Sequence, residues 1–340
     1  MARIKDVAEL AGVNRSTVSR IINGEGKFKE ETRRKVEQAM AQLNYRPSAI
    51  ARSLATSSSN MMGLLVTYYT GGFFGEMMEQ VQTELDMHHK FLITAQGHHS
   101  AQGEREAIQR FHDLRCDGYV LHSRYLSDDD LRALAQQPTP FVLLDRYVAG
   151  LEERCITFDH RGASQIVVEY LIQQGHRKIA CITGPLHRHN SRLRQQGYLD
   201  ALAQAGILPS KSLCEEGNYG RKSGYFAMQQ LFARHPEITA VFSCSEEMTT
   251  GALQYLHEQG IAVPGRISIV SFDSVDLCES LYPTVTAVHF PISEMARAAV
   301  QSLIAMVKQQ PTVGPQSFRP ILKKRHADQP LSKIAERQDS

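Results

Sequence analysis

The chain has 340 residues, of which 42% are hydrophobic and 22% charged, and its net charge is +2; this composition indicates a globular protein of two or more domains with a large core. No apolar run is long enough to span a membrane, and the first ten residues, MARIKDVAEL, lack the apolar segment of a secretory signal. Six cysteines without a C-x-x-C pair argue against a disulfide framework or a zinc site, so we expect a cytoplasmic protein that binds no metal.

Positive charge is concentrated near the N-terminus. Residues 1–60 contain 11 Lys and Arg against 6 Asp and Glu, a surplus of +5, which leaves −3 for the rest of the chain. A basic head on a slightly acidic body predicts a polyanionic partner for the head. Many small domains have one basic face without binding nucleic acid. The residue pattern of the head therefore has to show whether its partner is DNA.

Residues 1–45 predict three short helices. An apolar repeat at helical spacing indicates a first helix over Lys5–Leu10, and Gly12 suits the turn that ends it. Asn14 can cap a second helix over Arg15–Asn23, and a third helix is predicted over Glu31–Asn44. Two helices joined by a tight glycine turn form a helix-turn-helix, whose second helix enters the major groove of DNA.

The second helix carries the candidate DNA contacts. Arg15 and Arg20 can each bond guanine O6 and N7 in bidentate fashion, and the hydroxyl of Ser16 can act as donor or acceptor. Four further polar residues are predicted to hold phosphates, which position the head without reading sequence: Thr17, Ser19, Asn23 and Lys27. The alternative for this pattern is a solvated polar face on a small three-helix bundle.

Residues 46–60 predict a hinge helix and a linker. The segment from Tyr45 to Ser59 reads YRPSAIARSLATSSS, in which Pro47 suits the first turn of a helix that could reach Leu54. The polar residues that follow, 55–59, are typical of a flexible linker. Because so short a helix is marginal alone in water, it should form only against a partner.

Two stretches of the head resemble the LacI/GalR family of bacterial transcription regulators, and the resemblance extends over the whole chain. They read IKDVAELAGVNRSTVSRIIN and EETRRKVEQAMAQLNYRPSAIARSLA. The resemblance implies that Arg15, Ser16 and Arg20 read bases, that the hinge helix folds on operator DNA, and that Leu54 wedges into the minor groove and kinks the duplex. Several relatives have a basic residue where this chain has Ala55, which implies one minor-groove contact fewer.

Residues 61–326 alternate between apolar runs and helix-like stretches, a pattern that predicts parallel sheets with helices on both faces. The predicted strands include Gly63–Val66, Phe91–Ala95, Gly118–Leu121, Phe141–Leu144, Ile179–Thr183, Ala240–Ser243, Ile267–Ser271 and Val285–His289. The number of runs suits two doubly wound parallel-sheet subdomains. The whole chain is then predicted to have an all-α helix-turn-helix head, an α/β body and a polar tail over residues 327–340. The resemblance implies that the body is of periplasmic-binding-protein type.

The body is predicted to bind a small molecule in the cleft between subdomains, where the carboxyl ends of the strands meet. Aromatic, arginine and aspartate side chains after the strands suit a polyhydroxylated ligand. The resemblance places Arg194 and Asp273 on ligand positions of the family, and Phe74, Asn190 and Tyr219 are further candidates. The alternatives are that the aromatic residues belong to the core and that Asp145 and Arg146 form a local ion pair.

The class of ligand is predicted from one long block, HHSAQGEREAIQRFHDLRCDGYVLHSRYL, which is similar to part of the regulators of sugar-catabolic operons. It favours a sugar or sugar phosphate over a purine. Many sugar-responsive relatives have Asn-Asp where this chain has Ser245 and Glu246, which leaves the identity of the ligand open. No G-x-G-x-x-G after a strand, P-loop or G-x-S-x-G setting occurs, so neither a nucleotide cofactor nor hydrolase activity is expected.

The predicted function is therefore that of a repressor of a carbohydrate-utilisation operon. A homodimer, formed through first-lobe helices such as Glu76–Met87, would bind a palindromic operator under the control of the ligand. The tail is shorter than the tails through which some relatives form tetramers. Two alternatives are a regulator with a purine or nucleoside corepressor, and a solute-binding protein without a regulatory role, against which the DNA-reading head argues.

Overall fold

The computed structural model describes residues 2–22, 26–45, 58–312, 314 and 316–336. The head contains three helices, α1 Ile4–Ala11, α2 Arg15–Ile22 and α3 Glu30–Gln42, close to the predicted ranges. Gly12 ends α1 in the left-handed conformation, with φ +65°, which glycine adopts at no steric cost. One apolar residue from each helix (Val7, Val18 and Val36) is fully buried where the helices meet.

The predicted hinge helix with Leu54, and the predicted phosphate contact Asn23, lie outside the described residues. The chain resumes at Ser58, and Asp117 fixes the position of the residues that follow. The carboxylate of Asp117 accepts hydrogen bonds from the backbone N–H of Ser59 at 2.7 Å and of Asn60 at 3.1 Å, and from Lys90 Nζ at 2.8 Å. The end of the linker is therefore tied to the body directly before the first strand.

Residues 61–158 build most of the first lobe. Its elements are β1 Met61–Val66, α4 Gly72–Met87, β2 Phe91–Gln96, α5 Ala101–Asp113, β3 Gly118–Leu121, α6 Asp128–Leu134, β4 Phe141–Leu144 and β5 Cys155–Phe158. Strands β3 and β4 are buried along their whole length. Such fully apolar strands are typical of parallel sheets that helices cover on both faces.

Residues 160–289 build most of the second lobe. Its elements are α7 His160–Gln173, β6 Ile179–Thr183, α8 His189–Gln204, β7 Cys214–Glu216, α9 Arg221–Arg234, β8 Ala240–Ser243, α10 Glu246–Glu258, β9 Ser268–Asp273, α11 Leu277–Ser280 and β10 Thr286–His289. The chain ends with α12 Ile292–Val307, β11 Gln316–Phe318, β12 Ile321–Lys323 and α13 Leu331–Glu336.

The two sheets confirm the predicted fold class. In the first the strand order is β11-β5-β4-β3-β1-β2, and in the second it is β12-β10-β9-β8-β6-β7. All neighbours are parallel except β12, which is antiparallel to β10. The orders show that the chain passes between the lobes three times: after β5, after β10 and between β11 and β12.

Helix α12 follows a strand of the second lobe but packs on the first lobe. Its Leu303 lies over β3, where a Cβ at Gly118 would come within 2.8 Å of the leucine Cδ1. Gln301 Nε2 donates to Glu84 Oε1 of α4 at 2.9 Å, and Ser293 donates to Glu76 of the same helix. Within the described residues, no helix is long and apolar enough to cross a membrane.

Candidate DNA interface and candidate ligand cavity

The surface of α2 presents the side chains that were predicted to contact DNA. Arg15, Ser16 and Arg20 are exposed, whereas Thr17 and Ser19 are half-buried. Lys27 is exposed in the connection to α3. The guanidinium of Arg20 lies 5.7 Å from the ring centroid of Phe28, within the range of a cation–π contact. The arrangement leaves the two arginines free of any ion pair among the described residues, which suits an anionic partner.

A cavity of about 460 Å³ lies between the lobes, at the carboxyl ends of the strands. This is the position at which open α/β sheets bind ligands. Aromatic and charged residues from both lobes line it, among them Phe74, His122 and Arg124 from the first lobe and Arg194, Tyr219 and Glu246 from the second. The volume and the mixed lining suit a small molecule with both an apolar face and several polar groups.

The first lobe contributes a polar group centred on Arg124. Its Nη2 donates to His122 Nε2 at 2.7 Å and to the carboxylate of Asp145, and its Nη1 donates to the backbone carbonyl of Asp145 at 2.6 Å. An arginine can only donate, so His122 Nε2 is an acceptor and its Nδ1, 3.1 Å from Thr67 Oγ1, bears the proton. Burial, and after it the charge of Arg124, holds the pKa of His122 well below its usual value, so the ring is neutral.

His160 connects this group to the second lobe. It is 4% exposed, and its Nε2 lies 2.7 Å from Asp145 Oδ1. Its Nδ1 accepts from Arg194 Nε at 3.2 Å, so the imidazole is neutral and donates to the carboxylate. Burial raises the pKa of Asp145, but His160 and Arg124 outweigh burial and hold that pKa far below its ordinary range. The result is a continuous polar chain from Arg124 to Arg194, through an ionised aspartate.

Arg194 is held rigidly at the cavity wall. It is 7% exposed, its Nη1 donates to the carbonyl oxygen of Cys244, and its guanidinium lies 3.9 Å from the ring centroid of Phe272. Helix α8 begins at His189, so Asn190 lies one turn before Arg194 on the same face of the helix.

Aromatic rings form the apolar part of the wall. Phe74 lies in the first turn of α4, 5.4 Å from Tyr68 and 5.5 Å from His122 between ring centroids. Tyr219 stands at the other side, where its hydroxyl is 2.7 Å from Ser191 Oγ. A Cβ at Gly184 would lie 2.2 Å from the Tyr219 ring, so glycine at this position is what admits the tyrosine.

Glu246 adds a buried carboxyl group to the second-lobe wall. Ser245 caps α10 by accepting from the N–H of Met248, and Glu246 follows as the first residue of the helix. Ser274 donates to the Glu246 carboxylate, and burial raises the pKa of that carboxyl group. Ser245 and Glu246 both line the cavity.

Four of the five residues predicted to bind the ligand line this cavity: Phe74, Asn190, Arg194 and Tyr219. Asp273 does not, although Phe272 and Ser274 on either side of it do. Neighbouring side chains of a strand point to opposite faces, and the Asp273 carboxylate, 1% exposed, is 3.7 Å from Arg325 Nη2. Asp273 therefore does not line the cavity in this structure, and its role as a ligand contact stays a prediction.

Two further sequence readings are settled by the contacts. Asp145 does not form a local ion pair with Arg146; it pairs with Arg124 and His160, while Arg146 pairs with Asp128 at 2.7 Å. Of the aromatic residues that follow the strands, Phe158 is 5% exposed and packs in the core. The sequence prediction of the site lacked His122 and Arg124, although both follow the predicted strand Gly118–Leu121 and the carboxyl-end rule would have selected them.

The described structure defines a class of protein. A helix-turn-helix head joined to a two-lobed body with a ligand cleft is the architecture of a ligand-controlled transcription regulator. Residues 3–48 match the family model of bacterial regulatory proteins of the lacI family, and residues 168–327 match that of the periplasmic binding protein-like domain. The chain is 38% identical over 328 residues, 96% of both chains, to the HTH-type transcriptional regulator GalR of Escherichia coli K12. The chain belongs to the LacI family of bacterial transcription regulators.

Other relatives extend the comparison. The ribose operon repressor of Escherichia coli K12 is 32% identical over 96% of this chain and 99% of its own. Among solved structures, the lac repressor dimer bound to operator and the anti-inducer ONPF matches with a TM-score of 0.87 and 27% identity, covering 96% of this chain and 99% of that one. A complex of the regulator CelR with cellobiose matches with a TM-score of 0.72, 27% identity, and 96% and 100% coverage.

Proposed function

We propose that this regulator represses a carbohydrate-utilisation operon and that a sugar-like effector in the cleft controls its binding to the operator. The observation that carries the proposal is the lining of the cavity, where aromatic rings stand beside planar arginine groups and carboxyl groups. Rings stack on the apolar face of a sugar, and arginine and carboxylate bond neighbouring hydroxyls in bidentate fashion. The ribose operon repressors among its relatives support the same conclusion.

The proposed assembly is a homodimer on a palindromic operator. A single small head makes few contacts, whereas a two-fold dimer engages both half-sites at once. The lac repressor structure that the chain resembles is such a dimer on its operator. The proposed domains are the head over residues 1–45, the hinge and linker over 46–60, the effector-binding body over 61–326 and the tail over 327–340. The protein then acts in the bacterial cytoplasm and catalyses no reaction.

The proposed control is a linkage between cleft and operator. An effector that binds one arrangement of the lobes better than the other shifts their equilibrium. The body is tied to the linker through Asp117, so the positions of the two hinge segments in a dimer, with Leu54 as the predicted wedge, follow the lobes. A coupling free energy of about 1–3 kcal/mol changes operator affinity about 5- to 150-fold.

The proposal is tested by selecting DNA from a random duplex pool with the purified full chain, with and without a panel of sugars, sugar phosphates and purines. We expect enrichment of one palindrome, and a change in its recovery with one class of carbohydrate. A response to purines alone would show the alternative corepressor function. If no sequence is enriched under any condition, the proposed function is wrong.

Replacing Arg20 with alanine should relax sequence choice at one position of each half-site. A bidentate arginine–guanine pair contributes about 1–3 kcal/mol of discrimination, so the preference for the correct base pair should fall about 5- to 150-fold. Lys27→Ala serves as the matched control, because loss of a phosphate contact weakens all sequences alike and lowers the salt slope by about 1. Unchanged base preference in the Arg20→Ala protein would contradict the assignment of this arginine.

A further inference from the structure

A second cavity opens beside the effector cavity. It has a volume of about 330 Å³, and four of its lining residues, Arg124, Asp145, Arg188 and Asn190, also line the first cavity. We call the second cavity the side pocket. The shared residues show that the two cavities lie side by side.

The side pocket is strongly basic. Four arginines line it against two aspartates: Arg124, Arg146, Arg188 and Arg192 against Asp128 and Asp145. Arg124 pairs with Asp145, and Arg146 pairs with Asp128. Both carboxylates of the side pocket therefore already have an arginine partner. The guanidinium groups of Arg188 and Arg192 are left without a carboxylate in the described part of this pocket.

The two remaining arginines have no carboxylate partner among the described residues. Arg192 Nη1 donates to the carbonyls of Leu186 at 3.0 Å and His187 at 2.8 Å. Arg188 Nη2 donates to Tyr68 Oη at 3.1 Å, while its Nε is buried without a hydrogen-bond partner in the described part of the chain. A buried donor without a partner is costly, so a ligand oxygen that reached Arg188 Nε would supply an acceptor that the described part of the protein does not.

The start of α8 adds to the positive potential. The helix has 16 residues, and Arg188 is its N-cap. His189 and Asn190, in its first turn, line the side pocket. The N-terminus of a helix carries a partial positive charge, and its free N–H groups bind anions. Guanidinium groups and helix terminus therefore favour the same kind of group, a small anion with several acceptor oxygens.

We propose that the effector is a phosphorylated sugar, with its ring in the aromatic cavity and its phosphate in the side pocket against Arg188 and Arg192. The inference rests on the proposed function and narrows its ligand class. A phosphate carries about −1.5 to −2 charges and three acceptor oxygens, which match two unpaired guanidinium groups. A neutral sugar would leave both guanidinium groups without an anionic partner.

Calorimetry on the full chain tests the proposal with defined probes: inorganic phosphate, glucose and galactose with their 1- and 6-phosphates, ribose with its 5-phosphate, cellobiose with its 6′-phosphate, and glucuronate. We expect at least one sugar phosphate to bind about tenfold or more tightly than both its parent sugar and inorganic phosphate. If each parent sugar binds as tightly as its phosphate, or inorganic phosphate binds as tightly as any sugar phosphate, the proposal is overturned. Glucuronate binding as tightly as the best phosphate would overturn it in favour of a carboxylate.

Variants locate the phosphate. In Arg192→Gln, affinity for inorganic phosphate and for the best sugar phosphate should fall about tenfold or more, and Arg192→Lys should keep most of it. Arg177→Gln is the matched control, because Arg177 is likewise exposed and donates to two backbone carbonyls, those of Ile172 and His176. Equal phosphate affinity in wild type and Arg192→Gln would contradict the site.

The operator assay separates this inference from the proposed function. If a neutral sugar alone alters operator binding while phosphates do not, the carbohydrate repressor stands and the phosphate site is wrong. If the full chain selects no operator, the proposed function fails, whatever binds in the side pocket.

Discussion

Replacing Arg194 with methionine should make operator binding insensitive to the effector. The guanidinium is the point where the cavity meets the polar chain through His160 and Asp145 to the first lobe. Methionine keeps an unbranched apolar stem against Phe272 but removes every donor. Loss of one member of a buried, hydrogen-bonded charge network costs about 2–5 kcal/mol of binding, so effector affinity should fall about 30-fold or more.

The measurement is operator affinity with increasing effector, taken as the sugar or sugar phosphate to which the wild type responds. Operator affinity without effector should change much less than the response to effector, because Arg194 makes no contact with the head in the described structure. Arg161→Met is the matched control: Arg161 is exposed and pairs with Asp200 on the surface. A thermal unfolding curve confirms that the variant is folded. A normal response in Arg194→Met would remove this residue from the effector site.

Replacing Glu104 with leucine should destabilise the first lobe. Glu104 is 2% exposed, and its carboxylate accepts from Ser123 Oγ at 2.5 Å and from the N–H groups of Arg124 at 2.8 Å and Leu126 at 3.0 Å. Leucine fills similar space and leaves these donors unpaired. Each buried, unsatisfied donor costs about 1–3 kcal/mol, so we expect a loss of about 3–5 kcal/mol in the free energy of unfolding.

The substitution should also weaken effector binding, because the loop that Glu104 holds carries His122 and Arg124 into the cavity. Denaturant unfolding and the operator assay together check both effects. Glu106→Leu, on the exposed side of the same helix, should change stability by less than about 0.5 kcal/mol. An unchanged unfolding midpoint in Glu104→Leu would show that the loop is held by other contacts.

Local pattern in the sequence was enough to predict the central strands and the head. Gly118–Leu121, Phe141–Leu144, Ile179–Thr183 and Ala240–Ser243 were predicted with the bounds that the structure has. These strands are uninterrupted apolar runs because both of their faces are covered, so composition alone reveals them. The helices of the head were found for a related reason, since their apolar repeat and Gly12 are local features.

Most of the ligand site could be predicted from the sequence only through the rule that ligands meet the carboxyl ends of strands. That rule, with the family resemblance, selected Phe74, Asn190, Arg194 and Tyr219. The rule could not give the direction of a side chain: it also selected Asp273, which does not line the cavity in the structure. Whether a residue near the end of a strand faces the cleft or the interior depends on the pleat and on its neighbours, here Arg325.

Only the tertiary structure decided how the lobes are connected. Strands β11 and β12 are three residues each, largely polar or half-exposed, and belong to different sheets; no local pattern distinguishes them from loop. Helix α12 follows the second lobe and packs on the first. Local sequence determines which segments become buried strands and helices, because burial and periodicity are local. Which sheet a segment joins, and which partners Arg124, His160 and Arg194 find, depends on contacts between residues far apart in the chain, and those exist only once both lobes have formed.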